Sequence, residues 1–283
     1  MSSSYLIPII AWLPKGYDCS VVMPLEAIAE RLPNGTGAIV RAWTAYRDGA
    51  AIADGEERIE FDDGRPLGDA ANEVTWRGAA LDDWPAEGGY LEYAVRSADD
   101  SALFTSNRPP AFYNVYAAPG RKSFFACHTW EFGSPQVIGQ IAAFGRYADA
   151  YPVVHIDRAR DLGDSLVLIN PYRRPILAKI LTHDGRRPRR QRIEPMSGRL
   201  IDLAALIAPN DDKWSGQIQL TANNRVITHI VKHSLADPTR IGSVEHLDPF
   251  RADPTHLPLF RWLRLTAGET IRSTLRACRP GAS

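Results

Sequence analysis

One octapeptide pattern occurs twice in this chain. Residues 58–65 read RIEFDDGR and residues 192–199 read RIEPMSGR: Arg-Ile-Glu, three variable residues, then Gly-Arg, at an offset of 134. Upstream, VRAWTAYRDG (40–49) parallels ILAKILTHDG (176–185), each an alternating run that ends in Asp-Gly. Downstream, Asp69-Ala70-Ala71 corresponds to Asp202-Leu203-Ala204. Trp84 then stands before GGYLEYAVRS (88–97) as Trp214 stands before SGQIQLTANN (215–224). Four features in one order, with offsets between 127 and 136, read as a tandem duplication. The 283 residues, 45% of them hydrophobic, are enough for two cores.

Each copy has the period of a β-strand. Val40, Ala42, Thr44 and Tyr46 alternate with Arg41, Trp43, Ala45 and Arg47 before the Asp48-Gly49 turn. Ile176, Ala178, Ile180 and Thr182 alternate likewise before Asp184-Gly185. Leu91, Tyr93 and Val95, then Val226, Thr228 and Ile230, continue the period of two. Short strands punctuated by Gly, Pro and Asp-Gly predict an all-β chain of two tandem antiparallel β-sandwich domains. Helical pieces are predicted only at Pro24–Leu32 and around Leu200–Ile207. The expected boundaries are an acidic sandwich at 1–118, packed linker strands at 119–152, a basic sandwich at 153–250 and an amphipathic basic tail at 251–283.

The charges divide along the same line. Residues 1–141 hold 11 Lys/Arg against 19 Asp/Glu, whereas residues 142–283 hold 22 against 14, so a balanced chain has oppositely charged halves. Its zero net charge gives no bulk reason to bind nucleic acid. Halves of opposite sign suggest surfaces that meet, within a chain or between chains. Three widely spaced cysteines, Cys19, Cys127 and Cys278, make neither a disulfide framework nor a zinc pair. The apolar run from Tyr5 to Leu13 lacks a basic leader and a small-residue cleavage site, and no stretch approaches the roughly 18 apolar residues of a membrane span. A cytoplasmic location is expected.

In the second copy, LVLINPYRRPILAKILTHDGRRP, RIEPMSGRLIDL and SGQIQLTANNRVITHIVKH carry an Ile-Asn before a long strand, an Asp-to-Pro turn (Asp184 to Pro188) and an Ile-x-Pro strand. A last strand carries His229 and His233. In this layout residues 165–235 resemble the sensory-rhodopsin-transducer type of small β-sandwich protein. Trp12–Tyr17 echoes a Trp-x-x-x-Gly-Tyr opening of that type. The resemblance implies an oligomer-forming binding or signalling adaptor without catalysis, and it assigns no binding residue. The duplication, the arginine cluster and the tail depart from it.

Catalytic and metal signatures are absent from the sequence. His229 and His233 lie four residues apart on a predicted strand, about 13 Å, too far to share one ion. His183 belongs to a turn, and His155, His246 and His256 have no spaced partners. Cys127 and His128 are strand neighbours that point to opposite faces, which argues against mutual activation. Gly133-Ser134-Pro135 is no nucleophile elbow, and neither a Walker pattern nor GxGxxG occurs. Asp62-Asp63, Asp82-Asp83 and Asp99-Asp100 read as acidic turns. No cofactor and no metal are expected.

Charge is the strongest local signal. Arg186, Arg187, Arg189, Arg190 and Arg192 follow the Asp184-Gly185 turn, with Arg173 and Arg174 on the preceding loop. Arginine forks bind carboxylate and phosphate, and on a strand Arg190 and Arg192 share a face. The expected function is therefore non-catalytic binding or assembly through protein–protein contacts between oppositely charged domains, with Asp62, Asp63, Asp82 and Asp83 as the acidic counterpart. A homo-oligomer or a charged protein partner is expected. Competing readings are a peripheral membrane protein docking by Leu259, Phe260, Trp262 and Leu263 of the tail, and a carbohydrate or small-ligand binder using Trp76, Trp84 or Trp214 as stacking platforms. The weakest alternative is an enzyme centred on Cys127 or a histidine.

Overall fold

The alternating runs form antiparallel strands in the computed structural model. It describes residues 6, 8–79, 81–98, 104–106, 110–118, 124–127, 148–150, 152–173, 175–222, 226–247 and 250–251. In the first half, β1 (Ile9–Leu13), β2 (Asp18–Val22), β3 (Gly37–Arg47), β4 (Ala50–Asp62), β5 (Arg65–Pro66), β6 (Glu73–Arg77), β7 (Gly89–Ser97), β8 (Tyr113–Ala117) and β9 (Phe124–Cys127) build two sheets. Their orders are β1-β7-β3-β4-β5 and β6-β2-β8-β9. A single turn of helix, α1 (Leu25–Ala29), links β2 to β3.

The second half contains β10 (Ala148–Ala150), β11 (Val153–Asp157), β12 (Leu162–Asn170), β13 (Ile176–Thr182), β14 (Arg189–Ile193), β15 (Ser197–Asp202), β16 (Lys213–Ala222), β17 (Ile227–Ser234), β18 (Ile241–Leu247) and β19 (Phe250–Arg251). Strands β14-β13-β16-β11 make one layer and β15-β12-β17-β18 the other, joined at a corner by the pair Asp157↔Leu162. The order β1-β7-β3-β4 over β6-β2-β8-β9 thus reappears as β11-β16-β13-β14 over β15-β12-β17-β18. The chain is all-β. Helix α2 (Leu203–Ile207) starts later than the sequence pattern suggested, because Leu200 and Ile201 complete β15. Asp202 then caps it by accepting from the amides of Ala204 and Ala205.

The two Asp-Gly turns differ. Asp48 and Gly49 both have positive φ, 48° and 85°, the conformation that a two-residue hairpin loop requires. At the second turn only Gly185 does, at 75°, and the loop runs on to Pro188. Its amides are held from inside the turn: Gly185 donates to the Thr182 carbonyl and Arg186 to the Thr182 hydroxyl.

The two halves share apolar structure through the layer β15-β12-β17-β18. Leu166, Leu168 and Ile230 point into the second half's own core with Ile156, Ile180 and Leu220. Val167, Ile169, Ile227, Val231 and Val244 belong instead to the core of the first half, with Ile9, Leu91 and Tyr93. Strand β12 is therefore buried on both faces from Gly163 to Asn170. A strand covered twice reads as a continuous apolar run, and LVLI in this strand is one. Each such side chain contributes roughly 1.5–3 kcal/mol on burial.

Polar contacts fix the docking. The Tyr17 hydroxyl donates to the Thr239 carbonyl (2.9 Å) and accepts from the Ile241 amide (3.1 Å). Gly49 donates to the Met196 carbonyl (3.1 Å), and the Tyr90 hydroxyl lies 3.8 Å from the Met196 sulfur. Replacing Tyr17 with Phe strands both groups of the 239–241 turn and costs about 1–3 kcal/mol. The expected result is a lower denaturant midpoint with an unchanged slope; an unaltered midpoint would show that this contact does not join the halves.

Candidate functional site

The β13–β14 hairpin carries the arginine cluster, and the cluster divides into pinned and free members. Arg186 is a structural clamp. Its guanidinium donates to the Asp184 carboxylate (2.7 Å), the Ile207 carbonyl (2.7 Å) and Asp211, and it lies 5.8 Å from the centre of the Trp214 ring. Hydrogen bonds from Thr182, Trp214 and Arg186 hold the Asp184 carboxyl well below the usual carboxylate range. Arg189 donates to the Leu206 carbonyl (3.0 Å), and Arg192 pairs with Glu194 (2.8 Å). Arg187 and Arg190 are exposed and have no acidic partner among the described residues.

Register adds a residue that sequence inspection missed. Lys179 on β13 stands directly opposite Arg190 on β14, so two like charges share one cross-strand site. Such a pair is destabilising by a few tenths of a kcal/mol unless an anion relieves it. Lys179, Arg187, Pro188, Arg189, Arg190, Gln191 and Leu206 line an open groove of about 690 Å³ along the β14 edge. Arg173 is exposed in the turn after β12 and does not line this groove. Arg174 lies outside the described residues.

The acidic counterpart is also reorganised. Asp62 and Asp63 are exposed at the β4–β5 turn, where Asp63 has φ 47°. Asp82 is exposed, and Asp83 pairs with Arg47 at 3.0 Å. The larger acidic feature is β4 itself, which exposes Asp54, Glu56, Glu57 and Glu60. Two of these are tied within the chain, Glu57 to the buried Arg41 and Glu56 to Arg96. The cluster of four acids within 54–60 was the available signal; which edge they occupy depends on strand order.

His229 and His233 share a buried face of β17, and His233 is 2.8 Å from the Ser165 hydroxyl and 2.8 Å from the Ser234 carbonyl oxygen. No group of three His, Cys, Asp or Glu side chains that would hold a metal occurs among the described residues. His183 sits 5.6 Å from the Trp214 ring. Cys127 ends β9, paired with Asn114, while His128 and tail residues Leu259, Phe260, Trp262 and Leu263 lie outside the described residues. The stacking-platform reading is corrected: Trp76, Trp84 and Trp214 are all buried, with Trp76 and Trp84 packed on each other and the Trp214 ring flanked by Arg186 and His183. Trp84 also donates its ring N–H to the Leu13 carbonyl. Among the described residues no helix is long and apolar enough to cross a membrane. No family model, curated protein or solved structure matches the chain.

One half-buried acid responds to pH. Glu92 sits on β7 between Ile10 and Thr44, on the face that carries Tyr90 and looks toward Met196. Burial pushes its carboxyl up to about 7. The folded state therefore holds a proton that the unfolded chain releases near 4.5, and stability falls as pH rises from there through about 7. Glu92→Gln is expected to flatten that decline and to stabilise the protein at pH 8 by on the order of 2 kcal/mol. Denaturation midpoints at pH 4.5, 6 and 8 check this; parallel curves for both proteins would remove Glu92 as the cause.

Proposed function

We propose that this chain is a non-catalytic binding and assembly protein in which the basic second half of one copy docks on the acidic first half of another. The observation that carries the reading is an open groove holding three cations, Lys179, Arg187 and Arg190, without acidic partners among the described residues. A carboxylate-rich surface entering this groove relieves the Lys179–Arg190 repulsion and engages guanidinium forks that the fold leaves unused. The acidic β4 strand of a second copy offers such a surface. The resemblance of residues 165–235 to the sensory-rhodopsin-transducer type agrees, since that type implies an oligomer-forming adaptor.

Surfaces that attract by exposed charge lose their attraction when the Debye length shrinks from about 30 Å at 0.01 M salt to about 3 Å at 1 M. Light-scattering mass is therefore expected to fall toward that of a single chain across this salt range. Arg187→Glu with Arg190→Glu is expected to give a single-chain mass even at low salt. Wild-type protein that is monomeric at every salt and concentration tested would sink the reading.

A further inference from the structure

We infer that the assembly contact is an antiparallel β-strand pairing between β4 of one copy and β14 of the next, with Glu56 opposite Arg190, Asp54 opposite Arg192 and Glu57 opposite Arg189. The inference rests on the function proposed above and names its partner, a second copy of this chain.

The first support is that both strands are sheet edges. Among the described residues β14 pairs only with β13, and β4 pairs with β3 on one side and with β5 only at Phe61 and Asp62 on the other. Alternate residues along 54–58 of β4 therefore present unpaired amides and carbonyls, as do Arg190 and the Arg192 amide of β14, while the Arg192 carbonyl has one acceptor site taken by Arg199.

The direction of those main-chain groups can be worked out. The Leu67 amide donates to the Glu60 carbonyl from the β5 side, so the polar groups of Glu60 face away from β3. Main-chain groups alternate sides along a strand, so those of Arg58, Glu56 and Asp54 face the open edge too. On β13, His183 donates to the Gln217 carbonyl, which turns the odd residues of β13 toward β16 and the even ones toward β14. Ile180, Ala178 and Ile176 thus bond to Arg189, Gln191 and Ile193, leaving Arg190 and Arg192 facing outward. The Arg192 carbonyl indeed accepts from the exposed Arg199 side chain instead of from β13. Even residues of each strand must therefore pair with even residues of the other.

Charge then selects one register among the even ones. With Glu56 opposite Arg190, three arginines meet three acids and no like charges oppose one another. Sliding by two residues in one direction sets Arg190 against Arg58, and in the other keeps only Asp54 with Arg190 inside β14, while beyond it Glu57 meets Arg187 and Arg58 is set against Arg186. Pairing β14 with β14 sets like charge on like charge, the usual defence of an edge strand, and pairing β4 with β4 so that Asp54 meets Arg58 sets Glu56 against itself. The two edges also follow corresponding strands in the two sheet orders, and both contain Arg-Ile, at 58–59 and 192–193. Because the contact joins two different edges, it propagates head to tail unless a ring closes.

Proline removes an outward amide without touching the ladder inside each chain. Glu56→Pro and Arg190→Pro each close one edge and leave the other open. Each variant alone is expected to have the mass of one chain, and an equimolar mixture the mass of two, read by light scattering at low salt. Assembly of either proline variant to the wild-type size, with Arg187→Glu/Arg190→Glu still monomeric, would overturn the strand pairing and keep the charge-driven reading. Wild-type protein that never assembles overturns both. If a proline variant fails to fold, charge exchange decides: Glu56→Lys and Arg190→Glu are each monomeric alone, and the double variant regains the wild-type mass. Failure of that rescue, or equal rescue of Arg190→Glu by Asp62→Lys, overturns the register.

Discussion

The layer β15-β12-β17-β18 serves two cores at once, and the rest of the architecture depends on that. Leu166, Leu168 and Ile230 fill one side, while Val167, Ile169, Ile227 and Val231 fill the other. Exposing the second side would put Val167 and Ile169 of β12 and Ile227 and Val231 of β17 in water. The halves are consequently held against each other by the same hydrophobic force that folds each of them. Tyr17 satisfies the polar groups of the 239–241 turn at one margin of this contact, and Met196 receives Gly49 and Tyr90 at the other.

Using one layer for docking leaves other margins open. Strand β14 ends its layer, β4 is covered on its outer side only at Phe61 and Asp62 by the two-residue β5, and both strands are strongly charged. Edge strands usually carry charge to prevent pairing. Here the two edges carry opposite signs, so the same device that blocks like pairing leaves the unlike pairing free of repulsion. The groove beside β14 keeps Lys179 opposite Arg190 with no acid among the described residues to offset them. Arg186, by contrast, is fully engaged with Asp184, Asp211 and Trp214, and maintains the hairpin that displays its neighbours.

Much of the fold was legible because alternation is a local signal. The 40–47 and 176–182 runs become β3 and β13, Asp48-Gly49 makes its turn, and both predicted helical pieces exist as single turns. The arginine cluster was visible as a cluster, but its division into clamp and free members was not. Arg186 reaches Asp184 two residues away, but the second carboxylate that clamps it, Asp211, lies 25 residues away in sequence. Lys179 was overlooked for a similar reason: only the register of β13 on β14 sets it opposite Arg190. The tryptophans looked usable as ligand platforms because residue type does not report burial. Between packed sheets Trp76 and Trp84 lie 5.9 Å apart, and their ring faces meet protein.

By itself, the sequence determined the all-β class, the positions of the hairpin turns and the separation of charge between halves. These follow from side-chain period, from backbone conformations available to Asp-Gly, and from counting. Only the tertiary structure decided that β12 is covered on both faces, that β4 and β14 are edges, and which of their main-chain groups point outward. Those properties belong to pairs of strands far apart in the chain. An edge exists only by virtue of which strand fails to lie beside it, and no local run of residues encodes that.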